Sequence, residues 1–277
     1  MIRANAARYP ISARCGIPDV PRSTCYWMTG RPGTERADPI AGDVRAVRRD
    51  GRERHGARKI KAALERKGCH RVQETHRQHH ARTGHAGAYA RGRSEPHGTR
   101  ADEARLANLP DRGSDGYAPH TRPASDLAYV RVGGDWAYVC LLAGLADRDI
   151  VGHSAGRTRD ASLVLGAFAT LDFPPADVQV FHTDRGGGFD NTRIDEPLDV
   201  FGIKRSLSRK GNPYDNAVVE STNRLLKKEL VYRNHYATIE QPRRDPDDYV
   251  WWSDDRRLHS ALGYRSPKEF TEQGLVL

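Results

Sequence analysis

The chain has 277 residues, 37% of them hydrophobic and 29% charged, with a formal net charge of +9. That length accommodates one large or two modest domains. The longest apolar run, Trp136 to Ala146, is too short to span a bilayer, and the N-terminus lacks the continuous apolar segment of a signal peptide.

The positive charge is localised. Residues 43–105 hold 17 of the 45 Lys/Arg and 8 of the 36 Asp/Glu, which leaves 28 of each elsewhere. A concentrated basic segment points to a polyanion partner, nucleic acid first, against the plainer reading of a solvated linker. Cys15, Cys25, Cys69 and Cys140 form no CxxC pair and no metal-ligand spacing. Reduced thiols in a cytoplasmic protein without a membrane partner are expected.

In chain order, residues 1–68 read as short helices. Ile40, Val44 and Val47 fall on one helical stripe, and Ile60 and Leu64 on a second. Ser23 and Thr24 are plausible helix caps. Short basic helices joined by tight turns suit helix-turn-helix DNA binding, and Arg58, Lys59 and Lys61 are candidate phosphate contacts. Residues 69–120 read as a basic linker rich in His and Arg. The stretch 69–87 has five histidines and one branched aliphatic residue, Val72, so it has no face to bury. A histidine metal site there lacks any supporting cysteine or carboxylate cluster.

The texture changes at Asp126. Leu127 to Val132 reads as a strand, Gly133-Gly134-Asp135 as a hairpin turn, Trp136 to Leu145 as a second strand and Ile150 to His153 as a third. Asp160 caps a helix through Leu171, and Val178 to Phe181 is a short buried strand leading to Asp184. A helix at 194–200, a strand at 203–207 and a helix from Asn216 to Leu230 complete the order. Three strands followed by alternating helices and strands make a mixed α/β sheet with helices on its faces.

Three carboxylates stand out: Asp126 at the head of the first strand, Asp184 after the fourth, and Glu220 on the last helix, with 35 residues between the second and third. If the two strands are neighbours, their acids meet at one end of the sheet. On the last helix Val219, Leu226 and Leu230 share an apolar face, flanked by Thr222 and Asn223. Glu220 lies about 100° away, beside Asn216, Arg224 and Lys227. Clustered carboxylates repel unless a cation neutralises them. Hard oxygen ligands favour Mg²⁺ or Mn²⁺, and two such ions can assist both the attacking and the leaving oxygen at a phosphodiester. Asp126 is expected to bridge two ions, with Asp184 and Glu220 holding one each. Taken singly, each acid reads as a surface group or a turn cap. Arg209, Lys210, Asn216, Arg224, Lys227 and Lys228 are candidate DNA contacts, and His182 either orients the site or fills core space.

Several motifs carry a resemblance. They are SerAspLeuAlaTyrVal at 125–130, PheHisThrAspArgGlyGlyGlyPheAspAsn at 181–191, the run SerLeuSerArgLysGlyAsnProTyrAspAsnAlaValValGluSerThrAsn opening at 206, and ArgLeuHisSerAlaLeuGlyTyrArgSerProLysGluPhe at 257–270. With them, residues 121–272 resemble the B-frame transposases of bacterial insertion sequences, which carry a retroviral-integrase-type catalytic core. The resemblance implies a ribonuclease-H-like fold and a divalent-metal site of Asp126, Asp184 and Glu220. It implies DNA cleavage and strand transfer by a homo-multimer assembled on transposon ends, with an upstream-frame transposase protein as a further partner, at the bacterial nucleoid. A metal nuclease of the same fold, or an impaired DNA-binding remnant, is the alternative.

Departures from that pattern are specific. Ala128 stands where the family has Thr, Gly187 and Gly188 where it has Ser and a polar residue, and Ser253-Asp254 where a Tyr-Asn pair is expected. Gly-Gly-Gly is expected to loosen the loop after Asp184, and Pro242 and Pro246 to interrupt a helix. The family has a basic, apolar-striped helix at 69–87. A local reading-frame disturbance restored before Tyr89 would account for the tract found there, and the other two frames of the coding DNA are then expected to encode the apolar-striped helix.

Overall fold

The computed structural model describes residues 8–16, 21–24, 26, 40–69, 116–189, 191–208 and 216–277. The chain divides into two compact units, Met1–Gly42 and Asp43–Leu277. In the first lies helix α1 (Ile11–Gly16). Ser23 and Thr24 sit inside a helical turn at 22–24 rather than capping one. The tract 70–115, with its five histidines and most of the segment 69–120 assigned to a linker, lies outside the described residues, as do Arg209 and Lys210.

The second unit is organised by a five-stranded sheet of order β3-β2-β1-β4-β5. Its strands are β1 (Pro123–Val132), β2 (Asp135–Gly144), β3 (Ile150–Gly156), β4 (Val180–Thr183) and β5 (Lys204–Leu207). β1–β2 and β2–β3 pair antiparallel, whereas β4 and β5 add in parallel. The hairpin register Val132↔Asp135 leaves Gly133-Gly134 as a two-residue turn, with Gly133 at φ 57° where a side chain is disfavoured. Asp135 is therefore the first residue of β2 rather than part of the turn. Likewise β1 starts at Pro123, so Asp126 lies within the strand and not at its head. Three meandering strands extended by two parallel crossovers make the ribonuclease-H-like sheet.

Helices cover both faces. On one, Ala128, Val130, Val139 and Leu141 pack with Leu226 and Leu230, from helix α6 (Ala217–Glu229) and its end, and with Tyr249 and Trp252 of helix α7 (Glu240–Asp255). On the other, Cys140, Leu142 and Phe181 pack against Val164 and Ala167 of helix α4 (Ala161–Phe168) and Ile194 of helix α5 (Thr192–Val200). Asp160 caps α4 as expected, accepting from the Leu163 N–H at 3.3 Å.

One expectation about the helices changes. α7 runs unbroken through Pro242 and Pro246, and both are buried. Pro242 falls in the first turn, where a missing N–H costs nothing, and Pro246 forfeits one backbone bond that its burial offsets. From Asp43 onward, the hairpin of helices α2 (Ala41–Asp50) and α3 (Ala57–Arg66) falls in the same compact unit as the sheet. Its apolar stripe, Val44, Val47, Ile60 and Leu64, is buried as its spacing demands. A hairpin of this size cannot bury its face alone. Arg52 forks onto Asp248 and Arg66 onto Glu269, the latter in helix α8 (Pro267–Glu272), and the Arg54 guanidinium stacks 4.6 Å from the Trp252 ring.

Candidate active site

β1 and β4 are neighbours, as the meeting of two acids requires. Their parallel register pairs Ala124 with His182 and Ser125 with Thr183. Asp126 and Asp184 are each the next residue along, so the two carboxylates leave the sheet side by side on the face covered by α6. The third acid, Glu220, is in the first turn of α6, and α6 packs on β1 and β2. Val219, Asn223 and Leu226 turn inward from that helix while Glu220 stays exposed.

The three acids feel one another. Asp184 is raised above the ordinary carboxylate range by burial, with the charge of Asp126 adding to it and the Gly186 N–H opposing it. Glu220 is raised by the desolvation its surroundings impose, then by Asp126, with Arg224 countering and Asp184 adding.

Each aspartate is also held by the protein. Asp126 accepts from the Leu127 N–H through Oδ1 at 2.7 Å and from the Asn223 amide through Oδ2 at 3.0 Å. Asp184 accepts from the Gly186 N–H at 2.9 Å. Among the described residues, no three His, Cys, Asp or Glu side chains are gathered closely enough to hold a metal ion. Protein donors hold both aspartates in their present rotamers. By chemistry the donor set suits a hard divalent cation, since all three groups are carboxylates and Asp126 and Asp184 stand side by side.

The supporting residues are well defined. His182 is buried, with Nδ1 2.9 Å from Ser206 Oγ and Nε2 3.1 Å from Ser208 Oγ, so it ties β4 to the end of β5. Its burial accords with the core-filling role of the two expected. Arg205 bonds Asp195 at 2.7 Å and the Phe189 carbonyl at 2.9 Å, which fixes the far end of the glycine loop. That loop is tighter than its composition suggests: a Cβ on Gly188 would stand 2.8 Å from the Arg159 carbonyl oxygen.

The candidate DNA contacts separate into groups. Arg224 is exposed and Lys228 half-buried on α6, and Lys227 reaches to 6.0 Å from the Tyr129 ring. Asn216 is buried, with its side-chain oxygen unpartnered. Arg58 is exposed and Lys61 pairs with Glu65 at 3.1 Å, whereas Lys59 turns its ammonium inward with no accessible surface. Asn223, taken from sequence as a flank of the apolar face, proves to be the side chain that grips Asp126. Its position in the stripe of Val219, Asn223, Leu226 and Leu230 was the available signal.

Residues 201–267 match the family model described as an integrase core domain. The transposase for insertion sequence element IS904 of Lactococcus lactis is 28% identical over 252 residues, covering 88% of this chain and 98% of that protein. The IS986/IS6110 transposase of Mycobacterium tuberculosis is 32% identical over 228 residues, covering 78% of this chain and 80% of that one. Transposase InsF of IS3fB from Escherichia coli is 32% identical over 162 residues, covering 57% and 56%. The catalytic core domain of BIV integrase superposes with a TM-score of 0.43 at 19% identity, over 56% of this chain and 96% of that one. The chain belongs to the transposases of bacterial insertion sequences, which are built on an integrase core domain.

Proposed function

We propose that this transposase cleaves and joins DNA with Asp126, Asp184 and Glu220 as its catalytic carboxylates and Mg²⁺ or Mn²⁺, two ions, as its cofactor. The observation that carries the reading is the parallel register of β1 and β4, Ala124 with His182 and Ser125 with Thr183, which makes Asp126 and Asp184 the next residues along beneath α6, the helix that bears Glu220. When bound, the ions supply an activated oxygen nucleophile and charge neutralisation at the phosphodiester.

The chain's own residues do the rest. Asn223 and the Leu127 N–H fix the rotamer of Asp126, and the Gly186 N–H fixes that of Asp184. Burial and the neighbouring acids raise the proton affinity of Asp184 and Glu220, which is the response expected of carboxylates brought near one another. Arg224, Lys227 and Lys228 offer cations along α6 for backbone phosphates, and Arg209 and Lys210 precede that helix in the sequence. DNA ends and target are the substrates, in the bacterial cytoplasm at the nucleoid. A homo-multimer on DNA, joined by an upstream-frame transposase protein, is the working assembly.

The test is a strand-transfer assay on the element's terminal inverted repeats with Mg²⁺ or Mn²⁺. Joined product is expected, and Asp184→Asn is expected to abolish cleavage while leaving DNA retention near wild type. Nicking without joining would identify a nuclease, and equal cleavage by the variant would remove Asp184 from the catalytic set.

A further inference from the structure

Two large aromatic side chains stand open to solvent beside each other on the β1–β2 hairpin. Tyr129 is 44% exposed and Trp136 52%. The strand register brings them together: Tyr129 pairs with Tyr138 and Arg131 with Trp136, so all four share one face of the sheet. The Tyr129 ring meets the Trp136 ring edge-on at 6.2 Å and the Tyr138 ring at 5.2 Å. Tyr138 is half-buried and packs against the core that α4 covers. The three rings thus make one aromatic strip, from the rim of that core toward the hairpin turn.

Cations from three elements converge on this strip. Arg131 of β1 lies 5.0 Å from the Trp136 ring centroid. Arg159, in the turn between β3 and α4, donates from Nη1 to the Tyr129 hydroxyl at 3.2 Å. Lys227 of α6 holds its Nζ 6.0 Å from the Tyr129 ring. Arg157, beside them, pairs with Asp135 at 3.7 Å. Cross-strand pairing accounts for the touching rings, but it calls for no cation from α6 or from the β3–α4 turn. Two of these cations also tie the strip to the three acids. Lys227 follows Glu220 by two turns of α6. The Arg159 backbone lies against the glycine loop after Asp184, where a Cβ on Gly188 would stand 2.8 Å from the Arg159 carbonyl oxygen and 3.5 Å from Leu127 Cδ1. Tyr129 itself comes three residues after Asp126 on β1, roughly 10 Å along the strand.

We propose that Tyr129 and Trp136 form a stacking platform for unpaired bases of a DNA strand that runs to the three acids, with Arg131, Arg159 and Lys227 contacting its phosphates. Aromatic rings stack on any base, and interleaved cations neutralise the backbone between them. The path favours a single strand. By alternation along β1, Tyr129 stands on the face opposite Asp126, and among the described residues β4 pairs with β1 at Ala124 and Ser125, before either. A single strand can turn round that edge from one face to the other, whereas a duplex is too stiff to do so. The inference rests on DNA as the substrate and not on the assignment of the three acids.

The test is anisotropy of a labelled oligothymidylate of about 15 nucleotides, and of a blunt duplex of equal length, with the full chain in EDTA at fixed salt. Tyr129→Leu and Trp136→Leu are each expected to weaken single-strand binding about tenfold and to leave duplex binding within about twofold of wild type. Tyr129→Phe and Trp136→Phe, which keep a ring, are expected to retain most of the affinity. Retained duplex binding shows that the Leu variants are folded. Unchanged single-strand affinity in both Leu variants overturns the proposal. Equal weakening on single strand and duplex overturns it too, because stacking reads unpaired bases. Smaller oligomers in the Leu variants by light scattering, with single-strand affinity unchanged, would assign the strip to contact between copies of the chain instead. Binding in EDTA involves no cleavage, so the platform and the catalytic assignment of the acids stand or fall separately.

Discussion

Asn223 donates its side-chain amide to Asp126 Oδ2 at 3.0 Å, from the buried stripe of α6 to the central strand of the sheet. The contact joins the two elements that carry the first and third acids, because Glu220 lies three residues before Asn223 on the same helix. The spacing between Asp126 and Glu220 therefore depends on a polar residue at an apolar position.

That contact makes Asn223 a positioning residue. Without its donor, Asp126 keeps only the Leu127 N–H on Oδ1, and Oδ2 loses its anchor. A hydrogen bond to a charged group is worth about 1.5–3 kcal/mol, so Asn223→Ala is expected to raise the Mg²⁺ concentration for half-maximal cleavage about tenfold or more. DNA affinity should hardly change. A Mg²⁺ titration of cleavage, read beside DNA retention, checks this. An unchanged half-saturation would reduce Asn223 to a packing role.

The coupled acids give a readout that needs no catalysis. Asp184 holds its proton more tightly in the folded chain than its ordinary 3.8, through burial first and then Asp126. A carboxyl with a raised folded value contributes stability below its unfolded value and loses it as pH rises through the folded one. Metal-free wild type is therefore expected to lose stability from pH 4 upward at this site. Asp184→Asn should melt higher than wild type at pH 8, and the difference should vanish near pH 3.5. Adding Mg²⁺ at pH 8 should raise the melting point of wild type and leave the variant unmoved. Calorimetry across pH, with and without the ion, checks both halves.

Adjacent glycines should behave in opposite ways. A Cβ on Gly187 meets nothing within 4 Å, whereas one on Gly188 falls 2.8 Å from the Arg159 carbonyl oxygen. Gly187→Ala is expected to stabilise by about 0.4–1 kcal/mol by restricting the unfolded chain. Gly188→Ala is expected to cost about 1–3 kcal/mol, because backbone must move to admit the methyl group. Chemical denaturation of the two variants compares them directly.

These residues also show what a sequence displays and what it conceals. The hairpin, the cap at Asp160 and the stripe of α6 were legible because each rests on local spacing. The neighbourhood of Asp126 and Asp184 was legible only as a condition, since strand order is a long-range choice. Asn223 was misplaced as a flank, although four residues from Val219 and three from Leu226 is the interior period. Glu229 had no local signal at all: its burial is tolerable only because Arg257, 28 residues later, forks onto it. The prolines of α7 read as breaks because propensity is local, whereas first-turn placement and burial belong to the fold. The docking of α2 and α3 had no local signal, because its partners Asp248, Trp252 and Glu269 lie at the other end of the chain.

Asp254 carries the last prediction. It stands where the family pattern calls for Asn, and its Oδ1 accepts from the Ile150 N–H at 3.2 Å. Burial first, and then Asp149, lift it well above the ordinary 3.8. Asp149 is pushed up to about 6 by burial and by Asp147, with its bond to Asp254 and the more distant His120 opposing and Asp172 adding. The two carboxyls share a site and titrate as a pair. Both folded values are raised, so the pair's contribution is intact below pH 4 and declines as pH rises through 6. For Asp149 alone, a rise from 3.8 to about 6 corresponds to a loss on the order of 3 kcal/mol by neutral pH. Asn at 254 keeps an oxygen for the Ile150 N–H and adds a donor for Asp149. Asp254→Asn is therefore expected to stabilise the chain by about 1–3 kcal/mol at pH 7.5 and by little at pH 4. Urea denaturation at the two pH values measures the difference. Equal stability of variant and wild type at pH 7.5 would mean that the pair is already relieved by solvent.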